Sequence, residues 1–418
     1  MTSKEKVLAS IDHRDPGVIP LDIGGCTVTG MHCLAVEKLR KYYGLNYKPV
    51  KVFEPIQMLG EVDEELKSLL EVDVDGIIAP KNKFGIYHDT VWKEFRTLWG
   101  QVVLVPENLN IIAVNDGSHL IFPEGDTSVP PSAKMPSSGY YFDPIIRQVP
   151  IDDTALNVED NLEEFKIIPE RDLEYWKYQF NFVRNSKRAV IAGFGGTALG
   201  DIANVPAPGL KNPKGIRDFT EWYISVESRR DYIHQIFERQ TDIALQNLKS
   251  IYNAGGDSVD VIYVCGTDFG TQTSTFCSVE TFQELYAPYY RKLNNWIHRN
   301  TKWKTFKHSC GAVESFIPRF IECGFDILNP VQISAAGMDP ENIKKKYGDQ
   351  IVFWGGGVDT QGVLAFGTVD DVRKQVLSNC RIFGESGGYI FNTVHNIQPN
   401  VPVKNIAAMI DAFKDFNK

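Results

Sequence analysis

A (β/α)8 barrel, the TIM-barrel class, is the fold that this 418-residue sequence predicts. Three observations predict it. Eight short apolar, strand-like runs punctuate the chain, most are followed by an amphipathic helical pattern, and from residue 250 onward the alternation is regular with short loops. Strand-then-helix repeats of this kind build a parallel sheet with helices outside it. Eight such units point to a closed barrel. A doubly wound open sheet is the alternative, but no G-x-G-x-x-G follows the first run as a dinucleotide site would require.

The elements follow in order. MTSKEKVLASIDHRDPG at the N-terminus is a short charged amphipathic segment, expected as a helical extension, and it lacks the apolar core of a signal peptide. The strand-like runs are VIPLDIG (18–24), GIIAP (76–80), AVIAGF (189–194), VDVIYVCG (259–266), TFKHSCG (305–311), DILNPVQ (326–332), IVFWGGG (351–357) and YIFNTVH (389–395). FQELYAPYYRKLNNWIHRN (282–300), VESFIPRFIECG (313–324) and VDDVRKQVLSNCRIFG (369–384) have helical periodicity. Between the second and third runs, residues from about 92 to 175 break the pattern. FRTLWGQVVLVP and IIAVNDGSHLIFP read as hairpins, the second turning at Asn115-Asp116-Gly117, because Asp-Gly suits the φ > 0 positions of tight turns. SVPPSAKMPSSGYYFDP (128–144) has the composition of an irregular loop. No internal repeat stands out, so residues 1–418 are expected to form a single domain, with the excursion over one barrel end.

Composition excludes several function classes. A net charge of −9 argues against nucleic acid or an anionic membrane as the main partner. The 43% hydrophobic and 23% charged content is that of an ordinary soluble globular protein, and no apolar stretch is long enough to span a bilayer. Seven scattered cysteines fit reduced thiols in the cytoplasm better than a disulfide framework.

Barrel active sites sit at the C-terminal ends of the strands. The polar residues falling there are Asp22 to Cys26, Asp75, Asp268 to Gln272, His308 with Cys310, Asn329 to Gln332, Asp359, and His395 with Asn396. His308 and Cys310 are two apart on a strand, so their side chains share a face, and zinc favours that nitrogen–sulfur pair. The alternative is a histidine satisfied by backbone bonds beside an inert buried thiol. His395 is the natural third ligand, provided it leans over the mouth from beyond its strand. Cys323 and Cys380 sit in helical patterns that suit core residues; Cys265 and Cys277 are the other thiols weighed. In GTDFGTQTSTF (266–276), Asp268 and Gln272 suit substrate hydrogen bonding, or the loop satisfies its own backbone through Asx and Ser/Thr turns. WGGGVDTQ (354–361) opens backbone space for a ligand or a close-packed turn, with no Lys or Arg nearby to mark a phosphate site.

The HSCG, DILNPVQ, GGGVDTQ and HNIQP segments resemble the uroporphyrinogen decarboxylase superfamily, from about AGGDSVD (254–260) through HNIQPNVPVKNI (395–406), and more weakly HRDPGVIPLDIGG at the N-terminus. The resemblance implies a (β/α)8 barrel. The superfamily's corrinoid-dependent methyltransferases bind zinc through an H-x-C pair, matched by His308 and Cys310, and a later cysteine, whose place His395 takes here. Its decarboxylases have a histidine that His395 matches, an aspartate that Asp75 resembles, and an arginine-rich segment after the first strand for substrate carboxylates. Here that stretch is LDIGGCTVTG, without arginine, and guanidinium is the bidentate partner that many carboxylates need.

The resemblance therefore implies a methyltransferase that moves a methyl group between a corrinoid (cobalamin), free or on a partner protein, and a small thiol, alkoxide or methoxy compound. His308, Cys310 and His395 are the expected zinc ligands, Asp75, Asp268 and His395 the catalytic residues, with Asp268 and Gln272 orienting the small substrate, and Gln272, Asn329, Gln332 and Asn396 the substrate contacts. A homodimer is the expected assembly. The competing expectations are a metal-independent decarboxylase or lyase using His395 and Asp75, and a non-catalytic tetrapyrrole-binding barrel.

Overall fold

The computed structural model describes all 418 residues. Seven strands form one parallel sheet: β1 (Val74–Ile77), β2 (Ala189–Ala192), β3 (Val261–Cys265), β4 (Lys304–His308), β5 (Ile327–Asn329), β6 (Val352–Trp354) and β7 (Tyr389–Ile390). Each pairs in parallel with the next in chain order. The eighth position belongs to the expected first run, which forms a single bridge instead of a strand. Leu21 bridges Phe391 in parallel, while its carbonyl accepts the Asp73 N–H at 2.8 Å, so the segment links β7 to β1. Pro20 has no N–H, Gly24 ends the run and Gly25 follows it; neither residue type sustains a ladder.

Strand parity divides the core in two. Val74, Ala189, Ile191, Val261, Phe306, Ile327, Val352, Trp354 and Ile390 form one buried cluster inside the barrel. Their alternates Val190, Ile262, Val264, Leu328, Phe353 and Tyr389 belong to the layer between sheet and helices. A strand places i and i+2 on one face, so His308 follows Phe306 into the barrel.

Helix boundaries follow local chemistry. Residues 369–384 form the expected helix, Val369–Gly384, opened by a Thr368/Asp371 capping box. The expected 282–300 helix is two, Val279–Leu285 and Ala287–Asn300, with Pro288 in the first turn of the second, where its missing N–H costs nothing. The N-terminal extension is helical over Ser3–Ile11. No helix is long and apolar enough to cross a membrane.

The excursion contains both expected hairpins, Trp92–Arg96 with Val102–Pro106 and Ile111–Ala113 with His119–Ile121. The 128–144 stretch, expected as loop, contributes Ala133–Met135 and Asp143–Pro144 to the second sheet. A strand absent from the expectations, Val50–Glu54, joins the first sheet beside Val102–Pro106. Near the end of the excursion Tyr141 hydrogen-bonds Gln398, beyond β7, and the Tyr140 carbonyl accepts from His32 at 3.1 Å.

Candidate metal centre

His308 is the last residue of β4 and pairs in register with Asn329, the last of β5. Its Nδ1–H donates to Asn329 Oδ1 at 2.6 Å, and Asn329 Nδ2 donates to the Trp354 carbonyl at 2.8 Å. That chain fixes the amide orientation and the imidazole tautomer. The Nε2 lone pair is left facing Cys310 Sγ at 3.3 Å.

His395 arrives from the other side of the mouth. β7 ends at Ile390, and the chain beyond it folds inward. Asn396 holds that fold by accepting from Gly30 N at 2.7 Å and donating to the Thr27 carbonyl and Gln57 Oε1 at 2.9 and 3.0 Å. The His395 ring meets the His308 ring edge-on, with centroids 5.4 Å apart. The donor atoms of His308, Cys310 and His395 all lie within 4.8 Å of one another.

The electrostatics suit a cation. Burial lowers His308 to about 4, with the Asn329 bond opposing. Burial lowers His395 to about 4 as well, helped by the neighbouring His308. Both rings are therefore neutral near pH 7, as metal ligands must be. Burial, and after it the Asp268 charge, raises the Cys310 thiol well above its ordinary value, so a thiolate here calls for a positive ion beside it. Two neutral imidazoles and a thiol form a zinc-type donor set with a fourth position open, and a shift of under about 1 Å brings them to zinc bonding distances.

Asp268 joins the site as expected. Its Oδ1 accepts the Cys310 N–H at 2.7 Å and lies 3.8 Å from His308 Nε2. The four expected substrate contacts also brace the site through their side chains. Asn329 orients His308 and Asn396 ties the His395 loop down. Gln332 accepts from Gly311 N at 2.7 Å and donates to Gln272 Oε1 at 2.8 Å, while Gln272 donates to the Ser334 carbonyl at 2.5 Å.

Asp75 requires the largest correction. The strand begins at Val74, two residues earlier than expected, and with Val74 inside the barrel Asp75 points outward. It sits at the N-terminal end, bound to Lys67 at 3.0 Å, Arg188 at 3.4 Å and Ser186 Oγ at 2.8 Å. The structure does not bring it to His395, and an acid/base pair of the two is excluded.

Two further polar groups reach the mouth. A Cβ on Gly266 would collide with Tyr263 Oη and come within 3.0 Å of Asp201 Oδ2. Tyr263 was legible, since it alternates with Val261 in VDVIYVCG. Asp201 lies in a loop with no such signal. A cleft of about 470 Å³ opens beside His395 between Thr360, Gln361, Phe366 and Gln398. A larger one, about 740 Å³, lies among His13, Lys344, Arg381 and Glu385, away from His308, Cys310 and His395. All seven cysteines are unpaired, with Cys265, Cys323 and Cys380 buried in the core.

The uroporphyrinogen decarboxylase (URO-D) family model matches residues 211–416, which contain all three donors. A uroporphyrinogen decarboxylase from Anaeromyxobacter dehalogenans is 23% identical over 256 residues, 60% of this chain and 66% of that protein. One from Coxiella burnetii is 19% identical over 187 residues, 45% of this chain and 48% of its own. The chain thus spans between about half and two thirds of the length of these curated relatives. A methyltransferase from Methanosarcina mazei shares the fold over 100% of both chains, with a TM-score of 0.56 at 15% identity. The family match thus falls on the part of the barrel that holds His308, Cys310 and His395, and the chain resembles the uroporphyrinogen decarboxylase superfamily there.

Proposed function

We propose that this chain is a zinc-dependent methyltransferase. It moves a methyl group between a corrinoid, carried by a partner protein, and a small thiol, alcohol or methoxy compound. The observation that carries this reading is the convergence of His308, Cys310 and His395 within 4.8 Å at the barrel mouth. The methyltransferase from Methanosarcina mazei, alike over the full length of both chains, supports it. The decarboxylase reading is weakened by an arginine-free LDIGGCTVTG segment and by the ion-paired Asp75 at the far end of the barrel.

The residues divide the work. His308 and His395 present neutral nitrogen lone pairs, Cys310 presents sulfur, and Asn329 keeps the His308 proton on Nδ1 so that Nε2 stays free. Bound there, zinc supplies Lewis acidity toward the sulfur or oxygen of the substrate. Asp268, beside Cys310 and His308, is the acid/base group of the site. The cleft of about 470 Å³ beside His395 is the size of a small-molecule site. In this reading residues 1–418 are one catalytic domain, and the excursion covers the mouth through Tyr141 and Gln398.

Metal analysis of protein purified without chelator tests the reading. The expected result is about one equivalent of zinc, the stoichiometry of a single three-ligand site, lost in His308→Ala. Zinc well below that level in the wild-type chain, unchanged by the substitution, overturns it. Activity that survives both chelation and Cys310→Ser would favour a metal-free decarboxylase.

A further inference from the structure

Lys307 stands between the inward-facing Phe306 and His308 and so points outward, where it is fully buried. Lysine is almost never buried without a charge partner, yet its ammonium meets no carboxylate. It donates instead to the carbonyls of Thr267 and His308, at 2.6 Å each, and lies 5.0 and 5.3 Å from the ring centres of Phe269 and Phe320. An apolar side chain of similar length would fill this space without the desolvation that an ammonium suffers.

The location accounts for the charge. The β3–β4 ladder runs Tyr263 to Phe306 and then Cys265 to Lys307, skipping Val264. Val264 and Cys265 both fall in the outer layer, which marks a bulge, a device that re-aims side chains beside active sites. Just past this irregularity Lys307 spans the two chains. Above it the loops fasten to each other rung by rung: Phe269 N–H to Ser309 Oγ at 2.9 Å, Cys310 N–H to Asp268 Oδ1 at 2.7 Å, and Ala312 N–H to the Thr271 carbonyl at 2.8 Å. Lys307 is the first fastener of this series and the one that carries a positive charge.

We infer that Lys307 is a positioning residue of the metal centre: by tying the Thr267 carbonyl to the His308 carbonyl, it sets the reach of Asp268 to Cys310 and so the aim of the His308–Cys310 pair. The inference rests on reading His308, Cys310 and His395 as metal donors. It separates stability from positioning, because a purely structural lysine would be missed throughout the fold, whereas a fastener is missed only where it fastens.

The test compares full-length Lys307→Met with the wild-type chain. Amide hydrogen exchange is followed on metal-free protein, and zinc affinity is measured by competition with a chromogenic chelator. Metal-free Tm is expected to hold or rise, while exchange at Cys310 and Ala312 accelerates about tenfold through local opening. Zinc affinity is expected to fall about 10- to 100-fold, as for other groups that orient ligands. Unchanged exchange at Cys310 together with unchanged zinc affinity overturns the inference. So does a lowered metal-free Tm with exchange accelerated evenly along the chain. If Lys307→Met does not fold, Ser309→Ala cuts the next rung, and unaltered exchange at Cys310 in that variant overturns the fastener series. Exchange is read without metal, so a wild-type chain that binds no zinc defeats the metal reading separately.

Discussion

At the N-terminal end of the barrel, Asp73, Asp260 and Asp326 directly precede β1, β3 and β5, and each closes the sheet in the same way. Their carboxylates accept the backbone N–H of a neighbouring segment: Leu21 at 3.0 Å, Val190 at 2.9 Å and Thr305 at 2.7 Å. Each also has a basic partner: Lys6 at 3.3 Å, Lys4 at 2.9 Å and His298 at 2.8 Å. At the C-terminal end, His308, Cys310 and His395 gather without such mutual satisfaction, and the groups around them serve to aim them. The same polar residue types thus hold the barrel together at one end and present free donor atoms at the other. Which end a residue occupies, and which face of its strand, decides its role more than its identity does. This agrees with the division of barrels into a stability face and a catalytic face.

Three substitutions sharpen or break the contrast. The largest effect is expected from Asn329→Leu, which keeps the volume but frees the His308 ring. Zinc affinity should fall about 10- to 100-fold, the cost of losing a group that orients a metal-bound histidine. Chelator competition measures it, and an unchanged affinity would mean that the tautomer is held by something else. Next comes Asp75→Ala at the opposite end. Removing one partner of a mostly buried ionic cluster should cost about 1–2 kcal/mol, less than a fully buried pair because water still reaches it. Urea unfolding reads that loss, and zinc content should stay as in the wild type; a loss of zinc here would return Asp75 to the site.

The smallest effect concerns a histidine whose nitrogens, unlike those of the metal centre, are both engaged. His32 donates from Nε2 to the Tyr140 carbonyl and accepts at Nδ1 from Leu34 N, each at 3.1 Å. Burial lowers it to about 4, with the Tyr140 bond opposing. A proton on Nδ1 would also break the helix cap. The folded value lies below the unfolded one of about 6.5, so the stability tied to a neutral His32 is complete above that pH and is lost as pH falls toward 4. Between pH 7 and 5.5 the loss should be about 1 kcal/mol. His32→Gln should flatten that part of the stability profile by the same amount; an unchanged slope would place the acid sensitivity elsewhere.

Much of the barrel was legible because a parallel sheet buries both faces of its strands and leaves apolar runs separated by amphipathic helices. The run TFKHSCG located β4 and put His308 and Cys310 on one face. Asp75 was misplaced because GIIAP alone did not show that the strand opens at Val74, which leaves Asp75 at the N-terminal end on the outward face. Gln272, Asn329, Gln332 and Asn396 were identified as polar residues at the mouth, but a hydrogen-bonding side chain looks alike in sequence whether its partner is a substrate or a backbone amide. Asp201 and Lys307 left no signal, since a loop aspartate and a strand lysine are ordinary on a surface.

What the sequence by itself determined was periodic and local: the strand–helix alternation, the helix over 369–384, and the shared face of His308 and Cys310. These depend on residues a few positions apart, whose relative placement the backbone geometry dictates. What only the tertiary structure decided was how His395, already expected as the third ligand, comes within reach of the other two. His395 lies 85 residues beyond Cys310 in the numbering, and it reaches that residue because Asn396 anchors its loop to the segment around Gly30. Closure of the barrel brings the two ends of the chain together, and with them the three candidate metal donors.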